Sequence, residues 1–196
     1  MQIFLSAIQN YVKEASKKLS DTGKKTGLLV SLGEKESYIV PIFETFVVNH
    51  AIINFEITGE YITKYFKRLL QQEGYIKYHR NLKKLLYVAI DPDKESARIK
   101  GENGSLERHG TGIKIGESRY MTSECIFNPI LVGKDIEALD GAIMSVLSQC
   151  EVNFRRGLCN NIVLYGPIVF RGLIERLQLE IQKKFQGAIK VNVSGF

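Results

Sequence analysis

A chain of 196 residues that is 44% apolar can bury one sizeable core or two small ones, which excludes an intrinsically disordered protein. Its 27 Lys and Arg against 21 Asp and Glu leave a formal charge of +6, a general bias toward acidic partners that names none of them. Cys125, Cys150 and Cys159 form no CxxC pair and leave one thiol unmatched in any disulfide scheme, so reduced thiols in a cytoplasmic setting are expected.

Met1 to Leu5 is mildly apolar, but Lys13, Glu14, Lys17 and Lys18 follow too soon for a secretory core. No apolar run approaches bilayer length, so the expectation is a soluble protein without a membrane role. From Phe4 the apolar positions Ile8, Tyr11, Val12, Ala15 and Leu19 recur at three and four, predicting a leading helix that ends at the polar Ser20 to Lys25 break. The stretch Gly27 to Phe46 then reads as two strands, LLVSL and SYIVPIF, joined through the tight Gly33-Glu34-Lys35-Glu36 turn. Asn49 to Ile57 alternates enough for a third strand. Thr58 is placed to cap a helix carrying Ile62, Tyr65, Phe66, Leu69 and Leu70, and Gly74 to stop it in a left-handed conformation.

A short helix is expected near Asn81 to Leu86, then a strand from Tyr87 to Ile90 that Asp91-Pro92-Asp93 breaks. Lys94 to Gly112 is polar and glycine-containing and predicts a surface loop. Ile113-Lys114-Ile115 and Arg119-Tyr120-Met121 bracket Gly116-Glu117-Ser118 as a small hairpin. Ser123 is the expected cap of a short helix closed by Pro129, and Ile136 to Gln149 carries Leu139, Ile143, Val146 and Leu147 on one helical face. The rest reads as an Asn153-capped helix, a strand from Ile162 to Tyr165, a glycine-proline turn, a helix from Leu173 to Phe185 and a strand from Ala188 to Val193. Strands alternating with helices in this order predict an α/β layer with helices packed on a mixed sheet.

The same order carries a family resemblance. Val40-Pro41-Ile42-Phe43-Glu44-Thr45-Phe46 followed by Asn49-His50-Ala51-Ile52 resembles the actin family's VPIYEGY…PHAI. Ile57-Thr58-Gly59 with Tyr65 resembles its LAG…DYL helix start, Gly74-Tyr75 its RGY helix end, and Tyr87 to Asp91 its CYVALD strand. Later runs, Ile115 to Tyr120, Ile126 to Pro129, Cys150 to Arg155 and Asn160 to Leu164, resemble IGNERF, LFQP, CDIDIR and ANNVM in the same sequence. The resemblance covers the chain from Ala7 onward. It implies the actin-like, ribonuclease H-like large lobe: residues 1–59 and 122–196 forming one subdomain with a leading connecting helix, and residues 60–121 a smaller inserted one. It implies no counterpart here of the first phosphate loop, which the family carries near its N-terminus.

In that family ATP and a divalent cation sit between two lobes, so the resemblance directs attention to the residues that would face them. Taken alone, the Gly33 turn is an ordinary hairpin turn or a cradle presenting backbone N–H groups to an anion. The family pattern there is DSGDG, against Ser31-Leu32-Gly33-Glu34-Lys35 in this chain. Ser31 removes a carboxylate that would orient metal-bound water, and Lys35 replaces a glycine that allows close backbone approach. Gln9 matches a glutamine that helps orient the attacking water, the one catalytic candidate, while Tyr38 stands where the family has the histidine of the same network. A helical glutamine is otherwise a solvated surface residue.

On the nucleoside side, Gly59, Gly166 and Phe170 match family glycine and aromatic positions, although Pro167 offers no N–H and Ile168 and Val169 replace hydroxyl residues. Leu82 and Lys83 align with the lysine and glutamate that touch ribose and base. ATP with Mg is thus implied as cofactor in a weakened or absent form, through Gly33, Glu34, Gly59, Gly166 and Phe170, and no metal ligand is identified. His50, His79 and His109 share no ligand spacing, and no GxSxG elbow is present. The basic residues Lys13, Lys17, Lys18, Lys24, Lys25, Arg80, Lys83 and Lys84 lack interleaved aromatics and read as solvated faces in preference to a nucleic-acid surface.

The favoured expectation is a divergent actin-like protein with a cytoskeletal or complex-forming binding role and a degenerate nucleotide site, partnered by other actin-family or cytoskeletal proteins or by itself. Leu131-Val132-Gly133-Lys134 matches the family's apolar interstrand plug, FIGM, with Lys134 lowering its apolarity. Two competing expectations are an incomplete chain of an ATP-binding cytoskeletal actin and a nuclear actin-related subunit of a chromatin-associated complex.

Overall fold

A computed structural model describes residues 17–20, 23–75, 80–101, 107–109, 113–186 and 190–195. The predicted hairpin is present: β1 (Gly27–Leu32) and β2 (Ser37–Phe43) pair antiparallel, from Gly27 opposite Ile42 to Leu32 opposite Ser37. Every residue of β1 is buried because the sheet is covered on both faces. Leu28, Val30 and Leu32 enter one apolar cluster, while Leu29 enters another with Tyr38, Val40, Ile42 and Leu19. The twofold period of a strand is what lets alternate residues serve two cores. Helical residues 17–20 supply Leu19 to the second cluster.

The strand expected over Asn49 to Ile57 is shorter. β3 (Phe46–Val47) and β4 (Ile53–Asn54) both pair with β2, and a 3-10 turn, Asn49–Ala51, separates them. Helix α1 (Gly59–Gln72) follows, burying Ile62, Tyr65, Phe66 and Leu70, and Gly74 ends it at φ +90 as expected. Thr58 occupies the capping position with an extended backbone, but its hydroxyl makes no cap bond. The N–H groups of Gly59 and Glu60 are instead taken by the carbonyls of Gly33 and Glu34, each at 3.0 Å. The hairpin turn thus caps the helix through tertiary structure.

Arg80–Leu85 forms a 3-10 turn, and the strand expected from Tyr87 to Ile90 is reduced to a single bridge between Tyr87 and Arg171. The surface loop expected from Lys94 is also corrected, because α2 spans Pro92–Gly101. Asp91-Pro92-Asp93 is a helix start: Asp91 Oδ1 accepts the Lys94 N–H at 3.2 Å, and proline suits the first helical position. Asp93 and Glu95 in the first turn and Arg98 and Lys100 in the last complement the helix dipole.

The hairpin expected over Ile113 to Met121 is corrected as well. β5 (Glu107–His109) is the partner of β6 (Ile113–Ile115), and Arg119-Tyr120-Met121 belongs to α3 (Ser118–Glu124). Glu73, beyond the end of α1, accepts hydrogen bonds from the Ser118 N–H at 3.0 Å and the Ser118 hydroxyl at 2.9 Å, fixing that helix start from a distant segment. Ser123 therefore lies inside α3 and does not cap a helix, and Pro129 opens the 3-10 turn Pro129–Val132 where it was expected to close one.

The remaining helices and the strand from Ile162 to Tyr165 follow expectation more closely, whereas the strand expected from Ala188 to Val193 is corrected to one that begins only at Val193. These elements are α4 (Leu139–Gln149), α5 (Val152–Cys159), β7 (Ile162–Tyr165), α6 (Leu173–Lys184) and β8 (Val193–Gly195). Glu151, two residues earlier than the expected cap Asn153, precedes α5. β1, β7 and β8 run parallel, so the sheet order β3-β2-β1-β7-β8 is mixed, with helices packed on it. Asn161 locks the entry to β7: its Nδ2 donates to the Thr26 carbonyl and its Oδ1 accepts from Lys24, each at 2.9 Å.

Candidate functional site

The carboxyl ends of β1 and β7 lie side by side, and the turns leaving them bring four of the expected residues together. Gly33 and Glu34 leave β1 and touch Gly59 at the start of α1 through the two carbonyl contacts described above. Gly166 leaves β7 at φ +122 so close to β1 that a Cβ there would stand 2.2 Å from the Leu32 carbonyl oxygen. Only glycine fits that backbone and that approach. Phe170 lies on the same turn, half-buried against the main apolar cluster, with its N–H donating to the Ile168 carbonyl at 3.0 Å. Gln9 lies outside the described residues.

Polar groups on this face are engaged with one another. The Gly33 N–H donates to Ser37 Oγ at 3.2 Å, and that buried hydroxyl donates to the Ile57 carbonyl at 3.1 Å. Both Glu34 carboxylate oxygens accept from Lys83 Nζ, at 2.8 and 3.1 Å. Gly59 makes room for this pair, since a Cβ on it would meet Glu34 Oε2 at 2.2 Å. The ion pair was not legible in the sequence, where Lys83 stood only as an aligned position. Leu82 is a core residue at 5% exposure, and Ser31 is buried at 6% on β1.

Tyr38, which the resemblance set against a histidine, is buried in the second cluster, and burial pushes its phenol up from the ordinary value. The plug-like segment is held down at its end: Lys134 pairs with Glu56 at 2.6 Å and stands 4.9 Å over the Tyr61 ring. Arg68 donates to the Leu131 carbonyl at 2.7 Å, while Ile130 is 72% exposed. No helix among the described residues is long and apolar enough to cross a membrane.

The mixed sheet, the hairpin turn against the first residue of α1 and the glycine turn after β7 agree with an actin-like α/β fold. The family model for actin matches residues 8–102 and 80–195, two segments that overlap and together run nearly the length of the chain. The chain belongs to the actin family.

Proposed function

We propose that this actin-family chain acts by binding other proteins of actin-like or cytoskeletal type, with a nucleotide face that has degenerated. The observation that carries the reading is the internal pairing of that face. An anion cradle needs N–H groups aimed at an open site. Here the N–H groups of Gly33, Gly59 and Glu60 have protein acceptors, and the Glu34 carboxylate is held by Lys83. Pro167 contributes no donor on the opposite turn.

Family members hold ATP with magnesium, and the residues present do not fit that group well. Phosphoryl transfer depends on clamped phosphates, carboxylates around the metal's waters and an aligned attacking water. Ser31 is a buried hydroxyl where the family pattern has a carboxylate, and Tyr38 is a core residue. Losing one preorganised group of this kind typically costs about a hundredfold in rate, so several losses together leave negligible turnover.

Residues 60–121 are read as the smaller inserted subdomain and residues 1–59 with 122–196 as the larger. The Lys134–Glu56 pair, by tethering the plug-like segment, favours contacts different from those of an ordinary filament. A cytoplasmic, cytoskeletal setting fits this role. Calorimetric titration with magnesium-ATP beside a phosphate-release assay tests the reading: heats without saturation and no release are expected, and micromolar binding with Gln9-dependent turnover would overturn it.

A further inference from the structure

A cavity of about 670 Å³ opens between the 3-10 turn Arg80–Leu85, α2, β6 and the start of α6. Gly33, Glu34, Gly59, Gly166 and Phe170 take no part in its lining, so it is distinct from the face just described. Its size falls in the range usual for small-molecule sites, about 300–1,000 Å³. The apolar part of its wall includes Leu86, Val88 and Ile115, which are 4%, 3% and 1% exposed and belong to the main core.

The charged part of the wall is unbalanced. Lys84, Arg98, Arg119 and Arg171 face Glu95 and Glu175, four cations against two anions, a formal excess of two positive charges. Arg98 is committed to Glu95 through bonds of 3.1 and 2.7 Å, and Tyr87 donates its hydroxyl to the same carboxylate. The Arg98 hydrogen bond chiefly holds Glu95 below the ordinary carboxylate range. Arg119 lies 5.1 Å over the Tyr87 ring and donates to the Leu85 carbonyl. Lys84 and Arg171, both exposed, make no side-chain bond or ion pair among the described residues, and Glu175 is the acid left beside them.

We propose that this cavity binds a small organic phosphate, a compact apolar or aromatic body ending in one phosphate group, the body against Leu86, Val88 and Ile115 and the phosphate held by Lys84 and Arg171. The excess of two charges matches a phosphate monoester, which carries about −1.5 to −2 at neutral pH. A guanidinium fork binds two phosphate oxygens at once, and an ammonium supplies a point charge for the third. An apolar wall accounts for selection of an organic phosphate over the inorganic ion, since only the organic body removes that wall from water.

Phenyl phosphate is the probe, titrated into the full chain without nucleotide or metal and followed by calorimetry and amide NMR. Saturable shifts at Tyr87, Val88, Ile115 and Gly116 are expected, with inorganic phosphate binding more weakly. The double variant K84E/R171E should weaken binding about tenfold or more, as repulsion replaces two charge-assisted contacts. Glu175→Gln should tighten it. Both reversed side chains are exposed and bonded to no described group, so the fold should persist; should K84E/R171E fail to fold, the single variants Lys84→Gln and Arg171→Gln should each weaken binding severalfold. No shift at millimolar phenyl phosphate would overturn the proposal. So would equal binding of inorganic phosphate, or shifts at the Gly33 and Gly59 amides insensitive to charge reversal. None of these outcomes depends on the magnesium-ATP titration, whose result bears on the other face alone.

Discussion

The Glu34 carboxylate grips the Lys83 ammonium at 2.8 Å directly above Gly59, tying the β1–β2 turn to the 3-10 turn Arg80–Leu85 over the first residue of α1. Both side chains are partly solvated, so the pair alone should contribute only about 0.2–1 kcal/mol. Gly59→Ala should cost more in the wild-type chain, roughly 1–2 kcal/mol, because the new methyl would meet Glu34 Oε2 and also stand 3.0 Å from the Glu34 Cα. In a Glu34→Ala background that penalty should shrink, since the crowding carboxylate is gone. Urea unfolding of the four proteins in the cycle measures the coupling. Strict additivity would show that Gly59 is not there to accommodate Glu34.

Gly166 carries a heavier constraint because the atom in the way is backbone. Gly166→Ala combines φ +122 with a contact of 2.2 Å to the Leu32 carbonyl oxygen, and neither can be relieved by turning a side chain. A loss of about 2–4 kcal/mol is expected, against about 1–2 kcal/mol for Gly23→Ala, where φ is +73 but a Cβ meets nothing within 4 Å. Equal losses in thermal melts would mean that the approach of β7 to β1 is not what fixes Gly166.

Local patterning made the β1–β2 hairpin, α1, α4, β7 and α6 legible, since each is set by apolar period and nearby turn residues. What escaped was tertiary. Helix α3 starts where Glu73 reaches across from α1, a contact that no local pattern around Ser118 announces. Asp91-Pro92 was a missed local signal: the same two residues that read as a break also form a helix N-terminus, and only the charge order from Asp93 to Lys100 distinguishes them. At the site, resemblance placed Gly33, Glu34, Gly59 and Gly166 on one face, yet the pairing of Glu34 with Lys83 depends on two turns 49 residues apart. The basic cavity joins Tyr87, Arg119 and Arg171 from three segments, which spacing in the chain cannot reveal.

All three thiols should be silent in the native state. Cys125, Cys150 and Cys159 are free and buried, and burial pushes Cys125 up to about 12 and Cys159 to about 11. Because the thiolate is the reactive form, labelling by an aromatic disulfide reagent at pH 8 should be slow and limited by opening of the fold. Adding urea through the unfolding transition should release three equivalents. Rapid labelling of any one without denaturant would contradict the packing of α3, α4 or α5.

Glu124 should make the chain more stable at mildly acidic pH than its other carboxylates would allow. Its Oε1 is buried with no hydrogen-bond partner among the described residues, and burial pushes its carboxyl above the ordinary value of 4.5. Two groups act on it. Arg176 favours the ionised form but is already shared among Glu180 at 2.6 Å, the Ala89 and Ile90 carbonyls at 2.9 Å and the Phe127 ring. Glu180 opposes ionisation: its own burial pushes its carboxyl upward, but bonds from Lys183 and Arg176 outweigh this and hold it low, so it stays charged. A carboxyl raised in the folded state gives stability that is complete below the unfolded value and is lost as pH rises through the folded one. Glu124→Gln keeps the shape and the buried polar atom but removes the charge that burial disfavours, so the variant should be the more stable at neutral pH by roughly 1 kcal/mol, the scale of a carboxyl raised by burial. That gain should vanish as pH falls below about 4.5, where Glu124 is protonated in both states. Melting temperatures of both proteins across that range decide the matter: a difference independent of pH would mean that packing around α3, and not the ionisation of Glu124, sets the effect.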